Sequence, residues 1–106
     1  MKRFEMRDVE AARAYAMAGG QALHVCPTAP FVRAGSPRVF KNSAEFAHLF
    51  DQDGTRLTET ARKLGVRVVL IEKGGTPSQH VDLCAGPLER AKALAKDDER
   101  QGSLGL

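Results

Sequence analysis

The stretch Val66-Arg67-Val68-Val69-Leu70-Ile71 is the densest apolar, β-branched run in the chain. A run of this kind asks for cover on both faces, as a central parallel strand receives. We therefore expect Val66–Ile71 to be the central strand, with Val68, Leu70 and Ile71 in the core. The rest of the chain alternates short extended segments with helical ones. Asp8 is a fitting N-cap for a helix over Val9–Met17, and Gly19-Gly20 supply its stop. Gln21–Cys26 alternates and ends at Pro27, which predicts a short strand, and Lys2–Met6 is an earlier strand candidate. Ser43 would cap a helix over Ala44–Phe50, with Phe46, Leu49 and Phe50 on one stripe. A further helix is expected from Thr55 to Leu64, where Leu57, Ala61 and Leu64 fall at i, i+4 and i+7 and Gly65 ends it. Pro87 suits the first turn of a last helix running to about Lys96. Pro27–Pro37, anchored by Phe31 and Val32, is expected to be a loop, and Arg38–Lys41 a brief extended segment. Strands alternating with helices predict an α/β fold: one small domain over residues 1–96 with a three- or four-stranded, mostly parallel sheet flanked by helices. Residues 97–106 lack an apolar period and are expected to form a flexible tail.

The 106 residues suffice for one domain with a core of its own. No apolar run approaches the ~20 residues that span a bilayer, and the N-terminus lacks the apolar stretch of a signal peptide. A cytoplasmic location with no membrane partner is the expectation. Cys26 and Cys84 fit it as reduced, buried small hydrophobes. The formal charge of +3 comes from the first forty residues, where Lys2, Arg3, Arg7, Arg13, Arg33 and Arg38 outnumber Glu5, Asp8 and Glu10. That excess could support weak binding to a protein or an anionic ligand, and a solvated mixed surface is the favoured reading. Nucleic acid is the weaker expectation, because one Tyr and no Trp offer little for stacking.

Four residues are singled out as a candidate binding site: His48, His80, Asp82 and Arg90. In an extended segment His80 and Asp82 project to one face, so an imidazole and a carboxylate would sit side by side ahead of the last helix. Asp82 could fix a histidine tautomer, and Arg90 could hold an anion or neutralise Asp82. The structural alternative makes Asp82 a helix cap and Arg90 its ion-pair partner. His48, out of phase with the Phe46/Leu49/Phe50 stripe, is expected at an edge or in solvent. His24-x-Cys26 reads as a strand pair facing the core, with metal ligation as the lesser reading. The sequence leaves the cofactor, if any, unidentified. Gly74-Gly75-Thr76 is a loop without the ending of a phosphate-binding motif.

Phe50-Asp51-Gln52-Asp53-Gly54-Thr55 resembles the first motif of the haloacid-dehalogenase-like phosphatases, Asp-x-Asp-Gly-Thr. The resemblance implies Asp51 as nucleophile and Asp53 as acid/base, with Mg²⁺ between carboxylates. That chemistry needs a strand before the motif, and the expected helix over Ala44–Phe50 argues instead for a turn that caps the next helix. Residues 46–95 also resemble a family of small bacterial and phage proteins classed as a domain of unknown function. The resemblance rests on Ala47-His48-Leu49, Asp51 or Asp53, Leu57, Leu64-Gly65, His80-Val81-Asp82-Leu83 and Arg90-Ala91 with Leu94. It implies that His48, His80, Asp82 and Arg90 group in space, and it carries no activity. The expected function is a small cytoplasmic binding or interaction module, of the accessory or inhibitor kind that phages and mobile elements carry. The alternative is a small hydrolase, metal-assisted through His48, His80 and Asp82, or a reduced phosphatase through Asp51 and Asp53.

Overall fold

The computed structural model describes residues 1–28 and 44–104, and the expectations for Phe31, Val32, Arg38–Lys41 and Ser43 lie outside them. Strand β1 (Lys2–Glu5) leads through a 3₁₀ turn, Met6–Asp8, into helix α1 (Val9–Met17) and strand β2 (Ala22–Pro27). Strand β3 (Glu45–Phe50), helix α2 (Gly54–Lys63), strand β4 (His80–Cys84) and helix α3 (Ala85–Leu104) follow. The four strands form one sheet in the order β1-β2-β3-β4. β1 and β2 are parallel, with α1 as the crossover that a parallel pair needs. β2 with β3 and β3 with β4 are antiparallel. The class is α/β, and the expected mostly parallel sheet is corrected to a mixed one.

The correction has two sources. Glu45–Phe50 is a strand and not a helix, because its residues satisfy both periods at once. Phe46, Leu49 and Phe50 meet helical spacing, yet Ala47 and Leu49 also alternate with Phe46, His48 and Phe50. Neither face is polar enough to betray the two-residue period. β3 then fills the central place that Val66–Ile71 was expected to take. Val66 and Val69 pack on the core, while Val68 and Leu70 are 74% and 67% exposed. Among the described residues, the pairing nearest this segment is the bridge of the next residue, Glu72, with His80, closed by Glu72 N–H to His80 O at 2.8 Å and His80 N–H to Glu72 O at 3.1 Å. β-branched residues favour strands when a pairing partner and a covered face exist, and here the interior positions of the sheet belong to β2 and β3.

The two sheet faces differ in chemistry. One presents Leu23, Val25, Ala47, Leu49, Val81 and Leu83 to α2 and α3, which answer with Leu57, Ala61, Leu64, Leu88, Ala91 and Ala95. α2 is well delimited: Asp53 caps its start by accepting from Arg56 N–H at 3.0 Å. Its end closes with Gly65 N–H to Arg62 O and Val66 N–H to Ala61 O, both 3.0 Å. That pair of bonds needs a left-handed residue, and Gly65 at φ +98° supplies it. α3 runs on past Lys96 to Leu104. On the opposite face, among the described residues, α1 packs Ala12 and Ala16 on Ala22 and Phe50 with Phe4 and Val9 alongside. The rest of that face carries the polar side chains.

Candidate metal centre

Strand register brings the chain's three histidines to this second face. His24 of β2 lies opposite His48 of β3, and His48 lies opposite Asp82 of β4. One step along, Phe50 pairs with His80. A two-residue period on three adjacent strands thus puts His24, Cys26, His48, His80 and Asp82 on one surface. His48, expected at an edge or in solvent, is half-buried between the others. Its ring meets the edge of His80 at 4.8 Å between centroids and lies 5.5 Å from His24, with 18° between those two planes.

The outer part of the cluster is His48, His80 and Asp82. Asp82 Oδ1 lies 3.2 Å from His80 Nε2 and 3.8 Å from His48 Nε2. It is shut off from solvent and accepts no well-aligned hydrogen bond. A buried carboxylate oxygen in that condition is uncommon and costly. His80 Nδ1–H donates to the Ser78 carbonyl at 2.6 Å, which turns Nε2 toward the carboxylate. Burial disfavours the His80 imidazolium, but Asp82 and the Ser78 carbonyl outweigh it and hold its pKa above the usual value. Burial has the upper hand at His48: its pKa falls to about 4, with His80, His24 and Lys73 adding to burial against the pull of Asp82. A neutral imidazole is the form that ligates metal.

The inner part is His24, Cys26 and His48. His24 and Cys26 are 4% and 3% exposed, and burial pushes the Cys26 thiol up. His24 Nε2 lies 2.9 Å from the Met6 carbonyl. A carbonyl can only accept, so Nε2 carries the proton and the lone pair of neutral His24 is on Nδ1. That atom lies 3.3 Å from His48 Nδ1 and 3.5 Å from Cys26 Sγ. Each three-residue set offers ligand atoms within 4.8 Å of one another.

Arg90 stands apart. Its Nε donates to the Leu64 carbonyl at 2.9 Å, closing the end of α2 on the far side of the sheet, so it neither joins the histidines nor pairs with Asp82. Asp51 and Asp53 also serve structure. The strand before Asp51 removes the helical lead-in that argued against a phosphatase motif, but Asp51 is fully buried. Its Oδ1 accepts from Asp53 N–H (2.9 Å) and Arg56 Nη2 (2.8 Å), and its Oδ2 from Arg56 Nε (2.8 Å) and Gln21 Nε2 (2.9 Å). Asp53 caps α2. The sequence gives no sign of the Gln21–Asp51–Arg56 clamp, which joins the ends of β2, β3 and α2. No helix among the described residues is long and apolar enough to cross a membrane. Comparison with protein-family models, curated proteins and solved structures found no match.

Proposed function

We propose that this protein is a small metal-binding module that holds a divalent transition-metal ion on His48 Nε2, His80 Nε2 and Asp82 Oδ1. The observation that carries the reading is the Asp82 oxygen, shut off from solvent, without a well-aligned hydrogen bond, and placed between two histidine nitrogens. Two histidines and one carboxylate suit zinc and the other late first-row ions. A tetrahedral ion with bonds of ~2.0–2.2 Å to nitrogen and oxygen spans ligand edges of about 3.3–3.5 Å, between the distances of 3.2 and 3.8 Å to the two rings. The outer-sphere partners agree with the reading. Ser78 orients His80 through Nδ1, and a proton on His48 Nδ1 would donate to His24 Nδ1, leaving Nε2 free for the ion. Three protein ligands leave a coordination position open, and Asp82 and His48 are partly exposed. That observation keeps metal-assisted hydrolysis as the second reading.

Cobalt(II) added to metal-free protein is the test. One equivalent should bind with visible ligand-field absorption, and the binding should be lost in Asp82→Asn and in His80→Ala. Arg90→Ala should bind as the parent does. Saturable binding that survives Asp82→Asn unchanged would refute the assignment.

A further inference from the structure

The geometry points to a second metal site on the same face, built from His24 Nδ1, Cys26 Sγ and His48 Nδ1, that takes a soft, thiophilic ion such as copper(I). We infer that it excludes the first site because both depend on His48. The inner set stands on its own distances. An ion bonded at ~2.0–2.1 Å to nitrogen and ~2.3 Å to sulfur spans edges of roughly 3.3 Å between nitrogens and 3.6 Å from nitrogen to sulfur. The observed separations are 3.3 Å from His24 Nδ1 to His48 Nδ1 and 3.5 Å from His24 Nδ1 to Cys26 Sγ. The Met6 carbonyl fixes the His24 proton on Nε2 and leaves Nδ1 as the ligand atom. Thiolate with imidazole is a soft donor set, whereas the outer set, with a carboxylate, suits harder divalent ions. Loading the inner site replaces the Cys26 S–H proton by the metal and releases that proton to solvent.

The exclusion follows from counting lone pairs. A neutral imidazole has one N–H and one lone pair. With an ion on His48 Nε2, the His48 proton sits on Nδ1 and donates to His24 Nδ1, so both nitrogens of the inner set are spoken for. With an ion on the inner set, the His48 proton moves to Nε2 and points toward Asp82 Oδ1, 3.8 Å away. That removes a ligand from the outer set. The imidazole of His48 thus acts as a two-position selector, and the class of ion present sets its tautomer. Antagonism of this kind is reciprocal: each ion must weaken the other by the same factor.

The test is titration of the metal-free protein with copper(I), buffered by a chelator under anaerobic conditions, and with cobalt(II). Parent protein should bind one equivalent of either ion. Cys26→Ser should lose at least ~100-fold in copper(I) affinity and keep cobalt(II), and Asp82→Asn should do the reverse. If Asp82→Asn loses cobalt(II) but Cys26→Ser keeps copper(I), the inner site fails while the proposed function stands. If copper(I) binds through Cys26 and cobalt(II) does not bind, the proposed function fails and the inner site stands. Copper(I)-loaded parent should take up cobalt(II) at least ~10-fold more weakly, and simultaneous binding at unchanged affinity would overturn the exclusion. Should Cys26→Ser not fold, the parent alone decides. Long-range ¹H–¹⁵N spectra of the copper(I) form must place the His48 proton on Nε2, and a proton on Nδ1 would overturn the site.

Discussion

Replacing Asp51 by alanine removes the one fully buried carboxylate of the Gln21–Asp51–Arg56 clamp. Four hydrogen bonds go with it, three of them from side chains and one from the Asp53 backbone. Breaking a buried ion pair costs ~3–5 kcal/mol. The lower end applies here, since the Arg56 side chain is 42% exposed and can recover water. Arg56 also keeps its bond to the Gly19 carbonyl at 2.9 Å, and Gln21 keeps Thr60 Oγ1 at 2.8 Å. About 3 kcal/mol is then expected, a large part of the ~5–15 kcal/mol typical of a domain. At ~4–8 °C per kcal/mol for a chain of this size, melting should fall by at least ~12 °C. Asp53→Ala, which loses a helix cap, should cost only ~1 kcal/mol. The pH dependence has a definite sign. Burial would raise the Asp51 pKa, but Arg56, the Asp53 N–H and Gln21 together hold it below 3.8. Its stabilisation is therefore complete above that value and lost as pH falls through the folded-state pKa, so the gap between parent and mutant should close in acid. Urea denaturation followed by circular dichroism measures both quantities. An Asp51→Ala protein more stable than Asp53→Ala, or a gap that widens in acid, would refute the clamp.

Three further substitutions test the fold. Val68→Asp should change stability by no more than ~0.5 kcal/mol because Val68 is exposed. Leu49→Ala, buried on β3, should cost ~2–5 kcal/mol, and a reversal of these two would restore Val66–Ile71 as the central strand. Gly65→Ala should cost at least ~1–2 kcal/mol for its left-handed backbone. The new Cβ would also meet Arg90 Nη2 at 2.6 Å, so a neutral result in thermal melts would contradict the α2 terminus described above.

The helices were the legible part of the sequence, because their signals are local. Val9–Met17 lies between Asp8, which holds the N-cap position without a side-chain capping bond, and the glycines after it, and α2 lies between its cap Asp53 and Gly65. The pairing of His80 with Asp82 was legible for the same reason, since two residues in one strand share a face wherever that strand lies. What failed was non-local. Glu45–Phe50 carries a helical and a strand period at once, and only the partners on either side choose between them. Val66–Ile71 has the composition of a central strand, but β2 and β3 hold the interior places of the sheet. The meeting of His24 with His48 depends on the β2–β3 register, which no short motif encodes.

That register makes assembly of the site and completion of the sheet a single event. His24, His48 and Asp82 occupy one rung across three strands, so no ligand set that includes His48 exists until β3 has found a neighbour. A slip of β3 by one residue would carry His48 to the packed face and put Ala47 or Leu49 in its place, so a misregistered sheet loses both sets together. A bound ion would act as a proofreader of strand alignment, rewarding one pairing and withholding its binding energy from every other.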